Sequence, residues 1–381
     1  MAVRSIAVLG AGNGGCAAAA DLGSRGFEVR LYNRSRARLE PMIERGGLDR
    51  RGAAGEGFVE LSLITDDLAS AIQGADLIML TVPISALPVY AEQLGAALPP
   101  DPVVFLDPGH MGGGLFLAHE IHRLTGRTDV RTCEVSTLMY ACRMDGPAAV
   151  NIMQRMRRLP FASFPGRHQA ELFELVRAVY PDIREARDVL ETGFMDINAV
   201  EHPPQIICNA GWLEHTKGDY LFYYEGTTPG VGRVIDAADE ERLAIAAAAG
   251  VATRPFVEIF RDMGYTTEEA AAQGSAHAAL QDSAPNRAIK GPPSLDHRYL
   301  HEDVGWGLVP WAELGRSLGV ETPLMDALIT VGSVLGGRDY RREGLTLERL
   351  GLAGKRIDEL PGYLWEGIAS GKGAATMQVP R

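Results

Sequence analysis

Lysine is nearly missing from this 381-residue chain: Lys217, Lys290, Lys355 and Lys372 are all there is. Arginine supplies the remaining basic side chains, 37 Lys+Arg against 49 Asp+Glu, for a formal net charge of -12. Such a balance leaves no basic footprint for nucleic acid. Cysteine is scarce too: Cys16, Cys133, Cys142 and Cys208 form no C-x-x-C pair. No His/Cys cluster has zinc-ligand spacing, so no metal site is expected. Scattered thiols suit a reducing compartment, which points to the cytoplasm. Long apolar runs are also lacking. "SIAVLGAGNGGCAAAADL" is interrupted by Gly10, Gly12, Gly14 and Gly15. It reads as neither a signal peptide nor a membrane span.

What remains is the composition of an ordinary globular protein, 46% hydrophobic and 23% charged, long enough for two domains. The first third alternates short β-branched runs with helical segments. Strands are predicted at Ser5–Gly10, Glu28–Tyr32, Leu61–Thr65, Leu77–Val82, Val103–Asp107 and Val130–Ser136. That alternation implies a parallel sheet with helices on both faces. From about Arg187 onward nearly every segment is helical in pattern, as in Ala237–Ala249 and Met325–Leu335. The expected architecture is α/β: a Rossmann-type doubly wound parallel sheet over 1–187, then an all-α domain over 188–381. The small, polar stretch 369–381 is expected to be mobile.

Gly10, Gly12 and Gly15 fit G-x-G-x-x-G between a predicted strand and an alanine-rich helix. The first glycine permits the turn, the second a close approach of backbone to pyrophosphate, and the third tight helix–strand packing. Free amides at the helix start, including those of Asn13 and Gly14, then face a diphosphate. Beyond the second strand an acidic residue would accept from the ribose of NAD. Asn33, Arg34, Ser35 and Arg36 stand there instead, which favours the 2′-phosphate of NADP over NAD. A solvated basic loop is the plainer reading. Val82 and Pro83 follow the fourth predicted strand, and "DPGHMGGG" follows the fifth; both loops fall at carboxyl ends of strands, where open sheets bind ligands.

Hydride transfer at C=O or C=N needs a proton donor beside it. No lysine lies on the helix expected from about Asp188. Asn198 and His202 do, four apart and so on one face. Pro203 and Pro204 are expected to break or kink that helix. A second segment, "SLDHRYLHEDVGWGLVPW", mixes charge with tryptophan. In it Arg298 is suited to a substrate carboxylate, and Asp303 to orienting a histidine; an ordinary surface ion pair is the alternative.

The motifs "VLGAGNGG", "EVSTLMYACR", "VLETGFMDINAVEHPP", "FYYEGTTPGVGRVIDAADEERLAIAAAAG" and "RYLHEDVGWGLVP" occur in that order. With them the chain resembles the octopine/nopaline (opine) dehydrogenase family over nearly its whole length. The resemblance implies NAD(P)H-dependent reductive condensation of an amino acid with a 2-oxo acid such as pyruvate, giving an N-carboxyalkyl amino acid. It implies His202 as proton donor and acceptor, Asp303 as its partner and Arg298 as a carboxylate holder. Asn198 and Tyr140 are the further candidate substrate-binding residues. Gly305-Trp306 stands where Pro-Tyr is more usual and Met139 where Pro is common, departures expected to reshape the amino-acid pocket. A homodimer is also expected. The rivals are a 2-oxo or 3-oxo acid reductase of the ketopantoate reductase or glycerol-3-phosphate dehydrogenase type, and a non-catalytic NADP-binding protein.

The loop from Asn33 to Arg36 generates a direct expectation: the KM for NADPH lies below that for NADH in steady-state assays. The reverse order would remove the 2′-phosphate reading.

Overall fold

The structure, a computed structural model, describes residues 3–369. The expectation for 369–381 lies, from residue 370 on, outside the described residues. Twelve strands occur: β1 (Ser5–Leu9), β2 (Glu28–Tyr32), β3 (Gly47–Gly52), β4 (Gly57–Glu60), β5 (Leu63–Thr65), β6 (Leu77–Leu80), β7 (Val103–Leu106), β8 (Arg131–Val135), β9 (Tyr140–Met144), β10 (Ala149–Arg155), β11 (Pro160–Phe164) and β12 (Arg184–Glu185). The main sheet has the order β12-β11-β8-β7-β6-β1-β2-β5. It is parallel except where β11 runs against β8. Its inner strands are buried along their whole length, which is why "SIAVL" and "LIML" read as unbroken apolar runs.

A second, four-stranded sheet was not foreseen, with the order β4-β3-β10-β9. Its strands carry arginine and acidic residues ("GLDRRG", "AVNIMQR") and expose one side, so no apolar run announces them. Helix Asn13–Ser24 is packed between the two sheets. Gly14 to Leu22 are buried there, and the run of alanines lets both sheets approach closely. Asp21 on this helix is wholly buried. It accepts from the Tyr140 hydroxyl at 2.9 Å and is paired with Arg155.

The segments after β12 are helical. Helix Asn198–Cys208 contains both Pro203 and Pro204 and continues through them, contrary to the expected break. The two prolines remove the donors that would meet the Ala199 and Val200 carbonyls, and their rings crowd those carbonyls. Burial of Ala199 to Ile206 against helices Pro229–Ala248 and Pro323–Gly336 holds the helix together across the gap. Beyond Leu345 the chain returns to the sheet half. Leu350 reaches Gly112, Tyr363 packs on Phe164 with ring centres 5.7 Å apart, and helix Leu360–Glu366 lies along Gly166.

The glycine turn now separates two roles. A Cβ on Gly15 would lie 1.6 Å from the Gly10 carbonyl oxygen, whereas one on Gly12 would meet nothing within 4 Å. Gly15→Ala should therefore destabilise the fold by about 3 kcal/mol or more in urea unfolding. Gly12→Ala should leave stability within about 1 kcal/mol and weaken dinucleotide binding instead. Equal stability losses in the two variants would refute this division of labour.

Candidate active site

A cleft of about 460 Å³ opens between the sheet half and the helices. Gly12, Asn13, Gly14, Val82 and Pro83 line one side; Asn198, His202 and Arg298 line the other. Of the predicted residues, these and Tyr140 meet at a single surface.

The dinucleotide end is built on the turn between β1 and the first helix. Gly10 has φ +116°, and a Cβ there would collide with the Thr81 carbonyl at 2.4 Å. The Asn33 Oδ1 accepts from Ala11 N–H at 3.2 Å, so Asn33 braces the turn. The Asn13 Oδ1 accepts from Met144 N–H at 2.9 Å, which leaves its backbone N–H at the helix start. Ser35 holds the position before helix Arg36–Arg45 and makes no side-chain hydrogen bond to it. Arg34 lies over the Tyr90 ring at 5.9 Å, and Arg36 pairs with Asp66 at 3.0 Å. Sequence reading missed Arg38, two positions on, which donates to the Ala11 carbonyl at 2.6 Å and lines the cleft. The residues fit a dinucleotide on two observations. The space over Gly12 is open to a pyrophosphate, and the buried Thr81 Oγ1 has no partner in the protein.

At the other end His202 is 3% exposed. Its Nδ1 lies 2.8 Å from Asp303 Oδ2 and its Nε2 2.9 Å from the Tyr223 hydroxyl. With Asp303 accepting, Nδ1 carries the proton and Nε2 accepts from Tyr223 (an assignment from the partners). The Tyr299 ring stacks on the imidazole at 3.9 Å between centres. Burial, and after it the Arg298 guanidinium, hold His202 well below its ordinary pKa. Asp303 arrives through a local irregularity. Helix Arg298–Glu302 runs into a π-helical turn, Asp303–Leu308, of the kind often found at functional sites. Gly307 sits against Ala199, where a Cβ would come within 2.4 Å. That contact is what lets the turn press Asp303 onto His202.

Arg298 and Asp303 do not pair. Arg298 leans toward Glu302 at 3.8 Å and over the Tyr299 ring at 5.2 Å. Its side chain remains 48% exposed on the cleft side. Tyr140 reaches the cleft, but its hydroxyl is turned to Asp21 and Tyr180. Trp306 packs edge-on to Phe116 and under Arg349, and Met139 is buried with its N–H on Asp107. Neither lines the cleft itself, but Gly305 and Trp306 line a neighbouring cavity that shares Pro83, His297 and Arg298 with it.

Sequence reading also missed a buried ionic cluster. His110, from the glycine-rich loop after β7, has Nδ1 2.7 Å from Asp196 and Nε2 3.3 Å from Glu302. Both ring nitrogens face carboxylates, so both donate. Burial alone would lower His110; the two carboxylates outweigh it and raise the pKa well above its ordinary value. Glu302, despite burial, is held down to about 2 by His110 and Arg298. It also accepts Ile84 N–H at 2.7 Å. Only the histidine's place in a strand-end loop signalled this in the sequence. Among the described residues no group of three His, Cys, Asp or Glu side chains is placed to hold a metal ion, and no helix is long and apolar enough to cross a membrane.

Comparison with known proteins follows the same division. Residues 185–335 match the family model for the NAD/NADP octopine/nopaline dehydrogenase alpha-helical domain. Residues 5–121 match the NAD-dependent glycerol-3-phosphate dehydrogenase N-terminus. The opine dehydrogenase of Arthrobacter sp. (strain 1C) is 34% identical over 92% of this chain and 96% of its own length. Among solved structures, octopine dehydrogenase with NADH and L-arginine superposes with a TM-score of 0.75 at 19% identity, covering 96% of this chain and 99% of that one. NADP+-bound yersinopine dehydrogenase does so with a TM-score of 0.71 at 18% identity, covering 96% and 98%.

The ionic cluster yields a stability prediction. His110→Ala leaves Asp196 and Glu302 without their shared cation and should cost about 3 kcal/mol or more. The raised His110 contributes fully below its ordinary value of 6.5 and loses that as pH climbs through its raised value. The lowered Glu302 contributes fully above its ordinary 4.5 and loses that as pH falls toward about 2. Urea unfolding across pH should show the widest gap between wild type and variant from pH 4.5 to 6.5. A gap that widens steadily into alkali would contradict the cluster's assigned charges.

Proposed function

The chain belongs to the octopine/nopaline (opine) dehydrogenase family, and on that premise we propose how its own residues carry the reaction. It is an NAD(P)-dependent oxidoreductase acting on CH–NH bonds, condensing the amino group of an amino acid reductively with a 2-oxo acid. The observation that carries the residue assignment is the buried His202, held between Asp303 and Tyr223 on the wall of a cleft that continues to the glycine turn.

Arg298 takes the carboxylate of a substrate through its two parallel N–H groups. That carboxylate neutralises the charge holding His202 down, so the imidazole becomes a better proton carrier as substrate arrives. His202 then exchanges a proton with the condensing intermediate from Nε2, the nitrogen that Tyr223 caps. Asp303 fixes the tautomer and stabilises the imidazolium. Asn198, one turn before His202, offers its amide to the same substrate. The nicotinamide, when bound, supplies the hydride for the imine carbon. Gly10, Gly12, Asn13, Gly14, Gly15, Val82 and Pro83 hold it, and Arg34, Arg36 and Arg38 support NADP as the preferred form. Tyr140 contributes through its ring rather than its hydroxyl.

Three coarser features complete the proposal. The division at 187/188 is supported by the last strand pairing at Glu185 and the helix that starts at Val189; residues past Leu345 fold back on the first part. Four free cysteines support the cytoplasm. Val331 and Val334, exposed on one helix, support a homodimer. Likeness to the glycerol-3-phosphate dehydrogenase N-terminus lies within residues 5–121, while the helical half matches the octopine/nopaline dehydrogenase model, which supports the condensation over the reductase rival.

Incubation with NADPH, pyruvate or 2-oxoglutarate, and a panel of amines should oxidise NADPH only when oxo acid and amine are both present, with secondary-amine products by mass. Oxidation with the oxo acid alone would favour the reductase. His202→Ala should lower kcat by about 10²-fold while NADPH still binds. Arg298→Ala should chiefly raise the KM of a carboxylate substrate; an unchanged KM would return Arg298 to a plain ion pair.

A further inference from the structure

Glu201 is unused by the chemistry so far. It precedes His202 on helix Asn198–Cys208 and follows Asn198 by three positions, so all three lie on the face that lines the cleft. The residue is 3% exposed, yet Oε1 has no hydrogen-bond partner among the described residues. A buried carboxyl without a donor is costly unless a ligand supplies one. The titratable groups that face it, Asp303, Asp196, Tyr223 and Tyr265, are all acids. Asp303 is committed to His202 and Asp196 to His110. The local field therefore favours an incoming cation and disfavours an anion. Burial, then those two carboxylates, push Glu201 up to about 8, so the empty site holds it protonated near neutrality.

We propose that Glu201 is the receptor for the amino donor's ammonium group and the base that takes its proton before condensation. This rests on the reading of the cleft as an amine-condensing site. The protons balance as follows. As R–NH3+ enters, the Glu201 carboxylic acid releases its proton to solvent and the carboxylate pairs with the ammonium. The ammonium then gives one proton to Glu201, leaving R–NH2 and Glu201–COOH. The neutral nitrogen attacks the oxo-acid carbon beside His202, with loss of water to the imine. One proton reaches solvent for each amine bound. Specificity follows too: the donor subsite selects a primary amine that is cationic in water, and rejects its hydroxyl counterpart, which brings no charge to satisfy the carboxyl.

The test uses NADPH-loaded enzyme with L-alanine, L-methionine and L-arginine, each against its 2-hydroxy acid. Wild type should bind at least one amino acid about tenfold or more tighter than its 2-hydroxy acid, which cannot form the imine and is titrated as an inhibitor. It should also release about one proton per amino acid bound, read by calorimetry in two buffers of different ionisation enthalpy. Glu201→Gln should raise that amino acid's KM about tenfold or more, lose the proton release, and leave the KM of the 2-oxo acid within about twofold. Glu201→Asp should restore part of the preference. Thermal melts and NADPH titration of each variant separate these effects from misfolding. If wild type turns over an amino acid and Glu201→Gln keeps both the preference and the proton release, the inference is wrong. If wild type turns over no amine at all, the underlying reading of the cleft is what fails.

Discussion

Glu302 spans the seam between sheet and helices with a single carboxylate. It takes the Ile84 N–H from the loop that also carries Val82 and Pro83, and it faces His110 from the loop after β7. From the helical side it lies beside Arg298 and immediately precedes Asp303. Cofactor-side loops and proton-handling residues are thus referenced to one buried charge. In a low-dielectric interior such a charge holds its partners to narrow geometry, because any displacement leaves it unpaired. The spacing of the cleft walls follows from that requirement.

A second constraint works inside the helical half. His202 and Asp303 come from segments a hundred residues apart and meet only because backbone approaches backbone at Gly307 and Ala199. The π-helical turn widens the helix by one residue there and swings Asp303 inward while Arg298, a turn earlier, still opens to the cleft. The two side chains, for which a surface ion pair was the alternative reading, are held apart by this turn.

The parts of the molecule legible from sequence are those whose physics is local. Gly10 and Gly15 announce a turn that only glycine can make, Gly12 an open approach to it, and the buried parallel strands announce themselves as apolar runs. The second sheet was illegible because β3 and β10 place arginines and polar residues on an open face, and their pairing is with strands far away in sequence. Pro203 and Pro204 misled because helix propensity was weighed without the burial that overrides it. His202 stood out through its position and the family motifs. His110, Asp196, Glu201 and Glu302 did not: a buried carboxyl and a surface one are written with the same letter, and only tertiary packing tells them apart. Glu201 had one available signal, its three-residue spacing from Asn198 on the His202 face.

The return of the chain after Leu345 changes what kind of object the helical half is. Leu350, Tyr363 and Leu364 are seated on the sheet half, so the helices are an insertion, leashed at both ends, and not a pendant. A body tied at two crossings has less freedom than one tied at a single linker, and the cleft, with Gly12 and Val82 on one wall and His202 and Arg298 on the other, lies between parts of the chain joined in both directions.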